Sequence, residues 1–371
     1  ALAKIDRENQ YIIYVRSSLQ GETLRSGLGN FQFKAIKWPR LWTQVGLAGQ
    51  TFKDKPDVLF IPAHTSPLIH KPGLKTVVTV HDLGSEYLPK MHQLKQRLYL
   101  KWITHYQLKS ATKLIAVSKA TKEDLIKKVK IDTQKIEVVY EGYDKDLFKP
   151  VKGDVLVNTL KQFNLVPGEY FLFVGTVQPR KNLARLIEAF AHYSSNAVRS
   201  KRIKVLARLA ESAKRANRSN NNIQLVIVGS KGWLSEPIYQ LPKKLGIEDK
   251  VKFLGRVEDK DLPALYSGAI ALTFPSLFEG FGLPILEAQA SGCPVLTSNI
   301  SSMPEVAGKG ALYVNPNSTE SIIEGIRRIS LPAGKASGIR GKLIKAGFEN
   351  IKRFSWEKCA RETLEVLKNI R

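Results

Sequence analysis

Cysteine and methionine are nearly absent, with two of each in 371 residues. Cys293 and Cys359 have no metal-ligand spacing, which excludes a disulfide framework and a cysteine-built zinc site, and both read as small apolar fillers in a reducing compartment. No run of about 18 apolar residues occurs, and the amino terminus carries no charged-then-apolar leader pattern. Nothing therefore reads as membrane-spanning or secreted, and the expected compartment is the cytoplasm. Acidic residues are scarce: 33 Asp and Glu stand against 58 Lys and Arg, a formal charge of +25. Such a surplus calls for a polyanionic partner or neighbourhood. Zinc-finger spacing and an aromatic-rich RNA-binding signature are both missing, so charge alone speaks for nucleic acid. An anionic membrane surface accounts for the same charge and makes a location peripheral to the inner face of the cell membrane the expectation.

What is present is a sequence long enough for two domains, with 43% hydrophobic residues to build their cores. Short β-rich runs recur at Tyr11–Val15, Asp57–Ile61, Lys75–Val80, Lys113–Val117 and Ile136–Tyr140. Further runs lie at Tyr170–Gly175, Ile223–Val228, Val251–Leu254, Ala269–Phe274 and Ala311–Val314. Helical patterns alternate with them, among them 94–108, Ser118–Lys127 with Ser118 as N-cap, Leu183–His192 with Asn182 as N-cap, and Trp356–Leu367. Strands alternating with helices specify parallel sheets with crossover connections. Residues 149–153, bearing proline and glycine, read as a hinge.

The most informative stretch runs from Phe274 to Gly292, F-P-S-L-F-E-G-F-G-L-P-I-L-E-A-Q-A-S-G: strand end, glycine-rich loop and short helix. The backbone N–H groups of Gly280, Phe281, Gly282 and Leu283, with a helix dipole behind them, suit an anion such as a diphosphate. Glu287, in the first helical turns, can accept hydrogen bonds from vicinal hydroxyls, and Glu279 can meet a polyhydroxy ligand from the other side. The same residues also fit a plain reading, in which Glu287 favours the helix start, Glu279 is a solvated loop carboxylate and the glycines serve the turn. A dinucleotide fingerprint is disfavoured, because Ile285 stands where its third glycine belongs.

A second loop of the same design is G-T-V-Q-P-R-K-N, which places Arg180 and Lys181 beside a helix N-terminus at a strand's carboxyl end. Read plainly, they are two surface cations among 58. His81 follows the strand Lys75–Val80 directly, an address where open α/β sheets present ligand-contacting residues, although a lone histidine is more often packed or capping. Asp144-Lys145-Asp146 invites a metal, but the pattern recurs at Asp259-Lys260-Asp261 as ordinary caps, and no metal site is assigned. Residues 90–109 interleave cations with Leu98, Tyr99, Trp102 and Ile103. They form a basic amphipathic surface that suits anionic lipid or is the wet face of a packed helix.

Glu279 and Glu287, with seven residues between them around G-F-G-L-P, resemble the paired-glutamate signature of the family 4 retaining glycosyltransferases. Other matches follow in order from about Asp57 to the carboxyl end, and the nearest likeness is to bacterial mannosyltransferases of cell-surface polysaccharide. The resemblance implies the GT-B fold class, an α/β architecture of two Rossmann-like domains facing across a cleft. It also implies a nucleotide-diphosphate sugar donor, GDP-mannose first and a UDP-sugar second, and a glycan or lipid-linked glycan acceptor. On it, Arg180 and Lys181 neutralise the diphosphate, Glu287 holds the ribose, and Glu279 with the Phe281 to Leu283 backbone holds the sugar. Gly175, Gly229 and Gly255 line the nucleotide, and His81 faces the transferred sugar. His64 also matches, and reads as a loop-ordering residue. No cofactor or metal is implied. The alternatives are a GT-B nucleotide-sugar epimerase and a non-catalytic sugar-nucleotide or polyanion binder.

The expected domains are 1–150 on the acceptor side, 151–352 for the donor with a basic insertion at 194–222, and a terminal helix at 353–371 packing back toward the first. Family members open with a strand and glycine-rich loop, whereas A-L-A-K-I-D-R-E-N-Q reads as the end of the following helix. The expectation is a first domain lacking that strand and loop, less stable than the second, with weak or no turnover and retained donor binding.

Overall fold

The structure, a computed structural model, describes residues 1–371 except 17–28, 39, 64–65, 84–104, 200–221, 332–337 and 371. The chain divides into two compact units, Ala1–Gly142 with Phe354–Arg371, and Tyr143–Arg353.

In the first unit β1 (Tyr11–Arg16) pairs in parallel with β2 (Phe31–Ile36). A separate parallel sheet has the order β3 (Val58–Ile61), β4 (Lys75–Val80), β5 (Lys113–Ala116), β6 (Ile136–Val138). The β4 run K-T-V-V-T-V is buried from its second residue on, the pattern of a strand covered on both faces. One face packs Val78, Val80, Leu114, Ala116 and Leu125 into a common core. The other takes the helix Trp356–Lys368, whose Val366 meets Val77, Ile115 and Val139 together with Ile370. The start of that helix presses on Gly142, where a β-carbon would overlap the backbone of Ser355 and Trp356.

The second unit is built on one six-stranded parallel sheet. Its strands are β7 (Tyr170–Val174), β8 (Gln224–Val228), β9 (Val251–Gly255), β10 (Ala271–Phe274), β11 (Val295–Ser298) and β12 (Ala311–Val314), ordered β12-β11-β10-β7-β8-β9. Tyr170, Phe171, Leu172 and Phe173 are wholly buried, as a central strand between two helical layers requires. The stretch 149–153 is tied into this unit, since Val151 N–H donates to Ser267 Oγ and Gly153 opens the helix Gly153–Gln162.

Two local expectations change. β2 was not among the strands read from sequence, although F-Q-F-K-A-I alternates. Asn182 holds the expected N-cap position, its carbonyl accepting from Leu186 N–H at 3.0 Å, but its side chain is engaged elsewhere: its backbone is left-handed (φ 61°), its amide donates to the Pro275 and Pro316 carbonyls, and its side-chain oxygen accepts from Arg185. Ser118 does cap, accepting from Thr121 N–H at 3.0 Å. Among the described residues no helix is long and apolar enough to cross a membrane.

Candidate functional site

In an open parallel sheet, ligands bind beyond the carboxyl ends of the strands where the strand order reverses. In the second unit that point lies between β7 and β10: β8 and β9 build outward on one side of β7, β10 to β12 on the other. The loops following β7 and β10 therefore flank one crevice, and these are the two loops singled out in the sequence.

The first loop leaves β7 at Gly175 and turns through Pro179–Lys181 into the helix Leu183–Arg199. The second runs from Phe274 to the helix Leu283–Ala290, which Gly282 enters at φ 107°. They meet side chain to side chain. Lys181 donates to Glu279 Oε1 at 2.6 Å, and Arg180 donates to Glu279 Oε2 at 3.0 Å and to the Phe278 carbonyl at 3.2 Å. Leu277 N–H returns a bond to the Arg180 carbonyl at 2.9 Å. Glu279 and Lys181 are both buried, and the Lys181 ammonium sits 5.2 Å from the Phe274 ring centre. A carboxylate and cations taken out of water this far require each other, so the pairing fixes both loops. Glu279 is thus no solvated loop carboxylate.

The glutamate loop is also tied from behind. Ser301, itself left-handed (φ 59°), donates to the Glu279 carbonyl at 2.6 Å, and Ser302 donates to the carbonyls of Glu279 and Phe281 at 2.9 and 2.8 Å. Gly280, Phe281 and Gly282 are buried in the turn, and Leu283 is partly exposed at the helix start. Glu287 lies one turn further, partly exposed, with Oε2 accepting from the Tyr266 hydroxyl at 2.8 Å. Burial pushes its carboxyl up to about 7; the Tyr266 bond opposes that shift and Asp259 adds to it.

Gly175, Gly229 and Gly255 end the neighbouring strands β7, β8 and β9, all with positive φ. Gly175 N–H donates to the Val228 carbonyl and Gly229 N–H to that of Gly255. A β-carbon on Gly229 would fall within the Gly175 carbonyl, so only glycine lets these strand ends lie together.

His81 belongs to the first unit, just past β4. Its Nδ1 is 2.9 Å from Glu141 Oε1 and its Nε2 2.8 Å from the Pro62 carbonyl oxygen. Both partners are acceptors, so both ring nitrogens must carry protons for both bonds to form. The pKa is accordingly raised above 6.5, first by the Glu141 bond and against partial burial. Both contacts favour the protonated ring.

Sequence reasoning missed Tyr266, Ser301, Ser302 and Glu141. Tyr266 in L-P-A-L-Y reads as plain core; the serines lie in S-N-I-S-S-M-P-E, a stretch that continues the family match but from which no single residue stands out. Asp144 caps the N–H groups of Asp146 and Leu147 at 3.0 Å each, a turn of its own chain. Among the described residues, no three His, Cys, Asp or Glu side chains cluster as metal ligands. His64, most of 90–109 and most of the 194–222 insertion lie outside the described residues.

Residues 159–336 match the model for glycosyl transferases group 1, and residues 16–147 that for glycosyltransferase family 4. The O-antigen chain mannosyltransferase B of Escherichia coli is 29% identical over 294 residues, covering 79% of this chain and 70% of that protein. The O-antigen chain mannosyltransferase RfbU of Salmonella typhimurium is 29% identical over 289 residues, covering 78% and 69%. Among solved structures, WaaG, a glycosyltransferase involved in lipopolysaccharide biosynthesis, superposes with a TM-score of 0.67 at 16% identity, covering 91% of this chain and 87% of that one. Anabaena HepE in complex with UDP-glucose gives 0.67 at 16% identity, covering 97% and 99%.

Proposed function

The chain belongs to the family 4 glycosyltransferases of the GT-B fold, and on that premise we propose that it transfers mannose from GDP-mannose, with retention and without metal, to a glycan or lipid-linked glycan. Glycosyl transfer from a nucleotide sugar is the family's chemistry. The observation that carries the assignment of the site is the meeting of Arg180, Lys181 and Glu279 at the sheet's switch point, beside three glycine-ended strands. Mannose as the sugar rests on the two O-antigen mannosyltransferase relatives.

In this reading Arg180 and Lys181 bind the diphosphate and stabilise it as it leaves, fixed cations in a dry site supplying what a metal otherwise would. The helix Leu283–Ala290 adds its N-terminal dipole. Glu287 accepts from the ribose hydroxyls. Glu279 orients the two cations and, with the Phe281 to Leu283 backbone, the sugar. The acceptor oxygen forms its bond to the anomeric carbon from the face on which the diphosphate oxygen departs. The acceptor's proton passes to that departing phosphate, and nucleoside diphosphate is released. His81, its ring nitrogens held by Glu141 and the Pro62 carbonyl, is assigned to the transferred sugar on the family resemblance alone. The basic surplus holds the protein against an anionic membrane, where a lipid-borne acceptor resides.

A panel of GDP-mannose, UDP-glucose and UDP-N-acetylglucosamine tests the donor by thermal shift. A ligand at 100 times its dissociation constant stabilises by about 2.7 kcal/mol. GDP-mannose should give the largest shift, and a larger one from a UDP-sugar would reassign the donor. Product analysis separates the classes: an epimerase alters the donor alone, a binder alters nothing, and a transferase releases nucleoside diphosphate only with acceptor.

A further inference from the structure

Tyr266 stands on the helix Leu262–Gly268 with its side chain wholly buried, and the Phe148 ring meets it edge-on at 6.2 Å. Its hydroxyl donates to Glu287 Oε2 at 2.8 Å; among the described residues Glu287 Oε1 accepts no hydrogen bond. One oxygen of the carboxylate is thus held from within by a rigid donor. The other belongs to a partly exposed side chain on the helix Leu283–Ala290, which the glutamate loop enters.

A vicinal diol offers two hydroxyl donors, which only the ionised carboxylate can accept together. Resting on the assignment of Glu287 to the donor's ribose, we propose that Tyr266 is the positioning residue that aims the Glu287 carboxylate and sets the pH at which it becomes competent to bind the donor. Among the described residues, the titratable groups whose charge acts on the pair are Asp259, which opposes ionisation of Glu287, and Cys293, which opposes that of Tyr266. Burial opposes ionisation too, and the phenol is the contact that favours it. A carboxyl near 7 is about one-tenth ionised at pH 6 and about nine-tenths at pH 8, so donor affinity should climb almost tenfold between them. A nucleotide-diphosphate sugar has no ionisation of its own in that window.

The test is calorimetric titration of GDP-mannose, with UDP-glucose in parallel, into wild type, Tyr266→Phe and Glu287→Gln from pH 5.5 to 8.5. Wild type should show a midpoint near 7. Tyr266→Phe should reach the same affinity at the alkaline end with its midpoint raised by about one pH unit or more, the worth of a lost bond to a charged group. Glu287→Gln should bind weakly at every pH. Should Tyr266→Phe fold poorly, 3-fluorotyrosine at 266, a stronger donor, should lower the midpoint. A uniform loss of affinity in Tyr266→Phe with the midpoint unmoved, while Glu287→Gln is weak and flat, overturns the role of Tyr266 alone. Wild-type affinity and pH profile in Glu287→Gln overturn the ribose assignment and the proposal with it.

Discussion

The ammonium of Lys181 and the carboxylate of Glu279 lie 2.6 Å apart, buried, although 98 residues separate them in sequence. Two loops from strands on either side of the switch point are thereby joined by one ion pair, and Arg180 doubles the link. The site's cations are set in place before any anion reaches them.

Lys181→Ala should lower kcat/KM by at least tenfold, because it removes a charge-assisted contact to the departing diphosphate. Far-ultraviolet circular dichroism should stay native, since Arg180 still pairs with Glu279. Steady-state kinetics decide it, and wild-type values would remove Lys181 from the donor site.

Glu279→Leu should behave differently from Lys181→Ala. It leaves two cations without their carboxylate, one of them buried, and breaking such a pair costs about 3–5 kcal/mol. Chemical denaturation should show a loss of that order in the second unit together with lost turnover. Activity loss at unchanged stability would mean that the pair does not brace the loops.

The His81–Glu141 pair gives a pH signature in the first unit. Its folded-state pKa is raised, so the stabilisation is fully present below the ordinary value of 6.5 and disappears as pH rises through the raised value. Glu141→Gln should lower the melting temperature at pH 6 and converge with wild type by pH 9. With His81 nearly half exposed the effect should stay below about 1 kcal/mol. A difference growing toward alkaline pH would reverse the assignment.

Gly229→Ala should be among the most damaging single-methyl changes, combining a left-handed backbone with overlap on the Gly175 carbonyl. Thermal unfolding should fall by several degrees and donor affinity with it, because the strand ends at the crevice must part. Gly246→Ala shares the positive φ but has open space around it, and should cost less.

Much of this was legible in the sequence because buried parallel strands announce themselves: K-T-V-V-T-V and A-L-Y-V were bounded as they stand, at Lys75–Val80 and Ala311–Val314. β2 escaped because its alternation differs from the continuous apolar runs around it. The loops could be read, and their mutual pairing could not, because no local pattern tells that residue 181 will reach residue 279. Asn182 shows the same limit: by spacing it is a cap, yet its partners Pro275 and Pro316 come from two distant loops. Tyr266 was invisible for a simpler reason, as a phenol among leucines looks like core until its hydroxyl is seen to end on a carboxylate.

The most direct test of the whole account is proton NMR of one reaction containing GDP-mannose and a mannose-terminated glycan acceptor. The account predicts a new anomeric signal of the donor's own configuration, appearing in step with GDP and only when acceptor is present. An inverted anomer, or consumption of donor without acceptor, would contradict it.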